Sequence, residues 1–180
     1  MALPVESEIK LRVEGPEAAR RAVAALGAVA AKPRHLEDNI LYDDAASSLV
    51  ASGRALRLRR AAGRATVTFK GPREQRGDGV KSRTEIETEV ADGEAFDAVL
   101  RALGYLKVFR YQKYRESYHW RDVEIVVDET PIGTFLEIEG PVATIHEAAR
   151  ALGRGPQDYI AESYAALFLG SGGVGDMVFA

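Results

Sequence analysis

Charged and apolar residues alternate one for one from Val5 to Val13, and the same period-two pattern returns in segment after segment of the chain. Val5, Ser7, Ile9, Leu11 and Val13 fall on one face, and Glu6, Glu8, Lys10 and Arg12 on the other. Residues two apart share a face only when the backbone is extended, so the pattern predicts a β-strand. It recurs in Arg57-Leu58-Arg59, Thr66 to Lys70, Arg83 to Glu87, Lys113-Tyr114-Arg115 and Glu137-Ile138-Glu139. A sheet with charge on one face of nearly every strand must turn that face to solvent or curl it inward around a polar cavity. A one-residue slip would send a strand's charges to the opposite face, so matching parity in so many segments favours the cavity.

The remaining elements follow from turn signals and helical periodicity. After the first strand, Gly15-Pro16 opens a helix from Glu17 to Leu26 with Ala18, Ala22, Val23 and Leu26 as its apolar stripe. A strand from His35 to Tyr42, a turn at Asp43-Asp44 and a hairpin of Ala55 to Arg59 with Ala65 to Lys70 come next. Gly71 to Gly79 reads as a mobile loop, and Arg73, Arg76 and Lys81 read as solvated charges, with a lid over bound phosphate as the sharper alternative. A strand from Lys81 to Val90 leads into a helix capped by Asp92, with Phe96, Val99, Leu100 and Leu103 on one face. Strands over Lys107 to Trp120, Val123 to Glu129 and Thr134 to Glu139 complete the sheet. Thr144 is expected to cap a helix reaching Leu152, and a last helix to run from Gln157 to Leu169. The tally is eight strands and about four helices, an α+β fold: an eight-stranded antiparallel β-barrel tunnel with helices packed outside. A single domain covers residues 1–169, and the Gly-rich tail, 170–180, is expected to fray.

Composition narrows the partners. The 180 residues are 46% hydrophobic, enough for one sizeable core, and the net charge of −3 offers no overall field to draw nucleic acid or an anionic membrane. The absence of cysteine excludes disulfides and thiolate metal sites. No apolar run approaches the roughly 20 residues that span a bilayer, and no signal-peptide pattern opens the chain, so a cytoplasmic setting is expected. A homodimer is compatible with all of this. His35, His119 and His146 lie on different elements and are read as packing or surface residues, as is Trp120.

Parity puts the cations Lys10, Arg12, Arg57, Arg59, Lys70, Lys81, Arg83, Lys113 and Arg115 on the charged face. With them go the anions Glu6, Glu8, Glu85, Glu87, Glu89, Asp128, Glu137 and Glu139. The opposite face carries Ile9, Leu11, Leu56, Leu58, Val67, Phe69, Ile86, Leu136 and Ile138, so the core is expected between the outside of the sheet and the helices. Burying so many charges in a dry core would cost several kcal/mol each without ideal pairing, whereas a wet tunnel avoids that cost. Cations there suit a polyanion, and carboxylates suit Mg²⁺ or Mn²⁺, which prefer oxygen ligands beside phosphates. Together they are the components of phosphoryl or nucleotidyl transfer.

The order of these motifs resembles the CYTH superfamily, the class IV adenylyl cyclases and thiamine triphosphatases also called triphosphate tunnel metalloenzymes. Glu6-x-Glu8-x-Lys10 looks like its ExExK signature, Arg57-x-Arg59 its RxR strand, and Thr68-Phe69-Lys70-Gly71-Pro72 its TxKGP-like strand end. Arg83-x-Glu85-x-Glu87, Lys113-x-Arg115, Asp128, Gly133 and Glu137-x-Glu139 follow in the family's order, and Ser163-Tyr164 resembles a C-terminal Ser-Tyr element. The resemblance implies a tunnel open at both ends that grips a small linear triphosphate such as ATP, tripolyphosphate or thiamine triphosphate. It implies Glu6, Glu8 and Glu139 as leading metal ligands, then Glu137, Glu85 and Glu87, with Asp128 binding metal or orienting a cation. Arg57, Arg59, Lys70, Arg83, Lys113 and Arg115 become the phosphate clamp, and Lys10 the catalytic residue beside the reacting centre. Between the family's reactions, cyclic AMP formation from ATP is preferred over triphosphate hydrolysis, and over a non-catalytic polyphosphate or RNA-end binder. The preference rests on Glu37-Asp38-Asn39-Ile40-Leu41-Tyr42-Asp43: if Glu37, Asn39 and Leu41 face inward, Leu41 stands where some hydrolases place a tyrosine against the ExExK lysine.

Overall fold

The computed structural model describes residues 3–75 and 77–180. In chain order the elements are β1 (Val5–Val13), α1 (Pro16–Ala25), β2 (Val29–Asp43), α2 (Ser48–Ala51), β3 (Ala55–Ala61), β4 (Arg64–Lys70) and β5 (Glu74–Gln75). Then come β6 (Lys81–Val90), α3 (Gly93–Ala102), β7 (Leu106–Trp120), β8 (Val123–Thr130), β9 (Gly133–Glu139), α4 (Val142–Ala151), a 3-10 turn (Pro156–Asp158) and α5 (Tyr164–Gly170). The strands form the ring β1-β9-β8-β7-β2-β3-β4-β6, and β6 closes onto β1 through the pairs Val5–Thr84, Glu6–Arg83, Ser7–Ser82 and Glu8–Lys81. All pairings are antiparallel, which gives the expected eight-stranded barrel; β5 is a two-residue ribbon on the flank of β6. Closure matters because it leaves no long unpaired edge and isolates one face of every strand from the other.

The apolar core lies outside the barrel. Ile9, Leu11, Ile125, Val127, Leu136 and Ile138 meet Ala19 and Val23 of α1 and Ile145, Ala148 and Ala149 of α4. A second cluster sets Ile40, Tyr42 and Leu58 against Leu100 of α3. The cover is uneven: Ile86, on the outer face of β6, is 42% exposed. The stripe on α3 is also rotated from the expected one. Leu100 is buried while Val99 and Leu103 face solvent, and Asp97 goes inward because the Tyr42 hydroxyl donates to it at 2.5 Å with Arg101 and Lys107 alongside. Asp92 caps α3 as expected, its side chain accepting from the backbone N–H groups of Glu94 and Ala95.

Several boundaries differ from the sequence reading. β2 begins at Val29 and reaches His35 through register shifts against β7, where Lys32-Pro33-Arg34 breaks the alternation. Asp43 is followed by α2, because its carboxylate accepts from the N–H groups of Leu49 and Val50 and folds the turn into a helix. Pro141, not Thr144, precedes α4, and the last helix is a 3-10 turn and a separate α5 capped by Ser163. The Gly-rich tail is docked: Met177 pairs with β7 at Arg110 and Gln112 and is 1% exposed. Phe179 packs on Tyr114. Met177 fills an aromatic cluster that local pattern alone does not reveal, while Val174, between the tail's glycines, faces solvent. Of the proposed lid, Arg73 donates to the Ala161 carbonyl, and Arg76 lies outside the described residues.

Candidate active site

The inward faces enclose a cavity of about 840 Å³, within the roughly 300–1,000 Å³ typical of small-molecule sites. Its lining runs from Lys32 and His35 near one end of β2 to Val50, Gly53 and Ala55 beyond the other end, so it extends along the barrel. Glu6, Glu8, Lys10, Arg57, Arg59, Lys70, Arg83, Glu85, Glu87, Lys113, Arg115, Glu137 and Glu139 all reach it. Strand parity therefore placed these side chains correctly. Arg12 and Glu89 share that parity without lining the cavity: Arg12 stacks over Phe135 at 4.7 Å, and Glu89 pairs with Arg64 at 3.0 Å in solvent.

The cations form two groups. Arg57 and Arg59 project from β3 and share Glu87 at 3.3 and 3.4 Å, while Arg59 also reaches Glu37 at 3.0 Å. The Nε atoms of both arginines are buried without a hydrogen-bond partner among the described residues. Burial and then the adjacent Arg57 guanidinium pull the Arg59 pKa below its ordinary value, a tension that a bound anion would relieve. Lys113 and Arg115 of β7 converge on Asp128, which takes Lys113 at 2.8 Å and the Arg115 Nε at 2.7 Å. Lys10 adjoins them, 3.5 Å from Glu137, which Arg115 also engages, and donates to the Glu162 carbonyl at 2.9 Å. Glu37 is buried beneath these groups. Desolvation alone would raise its pKa, but Lys113, Arg115, Arg59 and Arg57 together hold it far below the usual carboxylate range.

The carboxylates are arranged differently. Glu139 lies directly across from Glu8 on β1 and from Glu124 on β8, a row of three acids at cross-strand spacing. Like charges so placed repel. Burial, then Glu8, Glu124 and Glu85, push the Glu139 pKa up to about 7. Burial, then Glu139 and Glu85, push Glu6 up to about 8. Among the described residues no cation stands within ion-pair distance of Glu6, Glu124 or Glu139, while Lys81 reaches Glu8 at 3.8 Å. Hard oxygen donors crowded together without a counter-charge fit a hard divalent cation. Among the described residues, no three of the acids already converge tightly enough to hold an ion.

The other candidates divide between the two arrangements. Lys70 and Arg83 are both tied to Glu85, the latter at 2.8 Å, so Glu85 serves first as a counter-charge to cations. Glu137 is likewise engaged by Arg115. Asp128 is fully buried behind the cavity wall, and both of its oxygens are already taken by donors. Oδ1 takes the Arg115 Nε, and Oδ2 takes Lys113, Arg115 and the Tyr164 hydroxyl, so in this arrangement the carboxylate orients cations.

Leu41 lines the cavity, and Tyr42 packs outside against α3, as parity required. Arg110 points outward to Asp38 at 2.9 Å. Tyr111, Glu37, Glu124 and His35 also line the cavity without a site role assigned from the sequence, as does Tyr164, noted there only by resemblance. Tyr111, Glu37 and Glu124 have the right parity and could have been found by extending it. His35 enters through the irregular start of β2, and Tyr164 arrives from a helix, where no strand rule applies.

The comparisons with known proteins agree with this geometry. The model of the CYTH domain matches residues 5–164. A protein of Methanocaldococcus jannaschii named "Putative adenylate cyclase MJ0240" is 30% identical over 149 residues, which cover 82% of this chain and 83% of that protein. Among solved structures, a Vibrio parahaemolyticus protein described as a putative adenylate cyclase superposes with a TM-score of 0.81 at 20% identity, covering 93% of this chain and 99% of the other. The Hippeastrum protein HpAC1, whose description reports a dominant triphosphatase activity, has a TM-score of 0.69 at 23% identity, covering 94% and 97%. At these identities the two structures speak for the fold.

Proposed function

The chain belongs to the CYTH domain family, and from that premise we propose that it is a divalent-metal-dependent enzyme that converts ATP to cyclic AMP and pyrophosphate within the barrel. The observation that carries the proposal is the division of the tunnel wall into a cation clamp and a row of crowded carboxylates, of which only Glu8 has a cation within ion-pair distance among the described residues. Arg57, Arg59, Lys113 and Arg115, with Lys10, Lys70 and Arg83, hold the triphosphate oxygens; guanidinium groups suit this because they present paired donors to phosphate. Glu6, Glu8 and Glu139 would hold Mg²⁺ or Mn²⁺, which when bound neutralises phosphate charge beside the leaving pyrophosphate. Leu41, Val50, Ala55, Pro72 and Ala165 give one end of the cavity an apolar lining with room for a nucleoside.

Cyclisation asks little of a protein base. The ribose 3′-oxygen bonds to the α-phosphorus, the bond from that phosphorus to the bridging oxygen breaks, pyrophosphate departs, and the hydroxyl proton passes to water in the wet tunnel. Positioning of an intramolecular nucleophile supplies much of the rate. Leu41 offers no proton acceptor, which suits this reaction, and the M. jannaschii relative carries the matching name.

Triphosphate hydrolysis is the second reading. It is the activity that the description of HpAC1 reports, and the same clamp and acid row would serve it with water as the nucleophile. Incubation with ATP, tripolyphosphate and thiamine triphosphate, each with Mg²⁺ and Mn²⁺, and chromatography of the products separates the two. Cyclic AMP and pyrophosphate from ATP are expected. Fast orthophosphate release from tripolyphosphate with no cyclic AMP would overturn the cyclase reading.

A further inference from the structure

Tyr164 is the first residue of α5, a helix outside the barrel wall, yet its side chain lies within the tunnel lining and is 6% exposed. Two local features send it there. β6 stops short of the far half of β1, and the chain before α5 fills the gap, with the Ile160 N–H donating to the Lys10 carbonyl at 2.9 Å. Ser163 then caps α5, its hydroxyl accepting from the Ala166 N–H at 3.2 Å, which fixes the direction in which the first helical side chain leaves.

Inside, that one side chain touches Lys10, Lys113 and the Asp128 carboxylate that holds Lys113 and Arg115, one of the two cation groups. Its hydroxyl donates to Asp128 at 2.8 Å, the carboxylate that also holds Lys113 and Arg115. Its ring face carries the Lys10 ammonium at 4.1 Å and Lys113 at 5.2 Å from the centroid. The remaining contacts of Lys10 are the Glu162 carbonyl and Glu137, the first supplied by the same segment two residues earlier. A ring face attracts an ammonium and offers it no proton acceptor, unlike a phenol oxygen. The Tyr164 hydroxyl is spent on Asp128, so Lys10 meets this tyrosine through its π-face.

We propose that Tyr164 is the positioning residue of the triphosphate clamp: its hydroxyl fixes the Asp128–Lys113–Arg115 group, its ring holds Lys10 beside that group, and α5 is thereby a working part of the site. This rests on the triphosphate-binding reading above. Three cations on three residues and two strands must face one linear polyanion at set spacings. A rigid aromatic between them fixes those spacings before the ligand arrives, which lowers the ordering cost of binding. The docked tail completes the support, since Met177 packs in the same aromatic cluster as Tyr164, Tyr111 and Phe135.

The test is calorimetric titration of tripolyphosphate into the full-length protein in EDTA, so that only the cations bind, for the wild type, Tyr164→Phe, Tyr164→Leu and Phe168→Leu. Phe168 sits on the same helix and in the same cluster, 6.0 Å from Phe109, and makes no contact with a clamp cation among the described residues. It reports what loosening α5 does by itself. Tyr164→Phe keeps the ring and is expected to weaken binding about 10-fold through loss of a hydrogen bond to a charged group. Tyr164→Leu loses both contacts and should weaken it at least ~30-fold, with Phe168→Leu within about 2-fold of wild type. Equal affinity of Tyr164→Phe and wild type, or equal losses in Tyr164→Leu and Phe168→Leu, would overturn the proposal while the binding reading stands. Failure of the wild type itself to bind tripolyphosphate, with or without Mg²⁺, would overturn that reading and this proposal with it.

Discussion

Neighbouring residues of β2 are assigned to opposite chemistries by strand parity alone. Leu41 enters the cavity and Tyr42 leaves it to donate to Asp97. If a hydrolase needs a phenol in the tunnel beside Lys10, Leu41→Tyr should raise tripolyphosphate hydrolysis severalfold, read as orthophosphate release. Unchanged release would show that the β2 position does not control the reaction. Glu8→Gln keeps size and removes an anionic oxygen from the row opposite Glu139. Turnover should fall at least ~10²-fold, the effect of losing an electrostatic contact in the site, with the fold intact because the wall is wet. Undiminished turnover at saturating Mg²⁺ would remove Glu8 from the metal site. Arg59→Lys conserves charge but loses the planar fork, so calorimetry should show ATP binding weakened by roughly 10-fold. Equal affinities would remove Arg59 from the clamp.

At the scale of elements, legibility followed regularity. Strands with strict alternation, such as β1, β3 and the middle of β7, were readable because parity fixes both the face and the cross-strand partners. The start of β2 was not, since Lys32-Pro33-Arg34 interrupts the period and the strand is held there by pairing with β7. α5 and the tail were misjudged for the same reason in reverse. Their placement depends on long-range contacts, Ile160 with β1 and Met177 with β7, which leave no local periodicity to read. The functional consequence is that the residues found by parity are strand residues, while Tyr164, noted in the sequence only through the Ser163-Tyr164 resemblance, has its place in the tunnel from the structure. A docked tail makes a stability prediction. Met177→Ala empties a site that is 1% exposed, and urea unfolding should show a loss of about 2–4 kcal/mol. A loss below about 0.5 kcal/mol would mean that the tail does not pack in solution as described.

For the whole molecule, a tunnel loaded with unpaired acids couples folding to pH. Glu6 and Glu139 have folded-state pKa values of about 8 and about 7, raised from an ordinary carboxyl value of 4.5. The contribution of their protons to stability is fully present below that ordinary value and is lost as pH rises through 7 and 8. Glu37, held far below its ordinary value, acts in the opposite sense and loses its contribution only in acid, as pH falls below 4.5. Lys70 and Lys81, each pushed down to about 8 by burial, oppose the trend only above that pH. The metal-free protein should therefore lose thermal stability between pH 5.5 and 8, by a few degrees, and Mn²⁺ should restore more of it at pH 8 than at pH 6. A flat profile would mean that the acid row is not strained. Among the described residues no helix is long and apolar enough to cross a membrane.

The central claim is that the barrel holds a divalent metal and a triphosphate on opposite arrangements of one wall. Anomalous diffraction at the manganese edge, from crystals grown with Mn²⁺ and tripolyphosphate, tests it most directly. The account predicts a manganese peak within bonding distance of carboxylate oxygens from Glu6, Glu8 or Glu139, with phosphate density against Arg57, Arg59, Lys113 and Arg115. Manganese bound only outside the barrel, or phosphate lying away from those four cations, would contradict it.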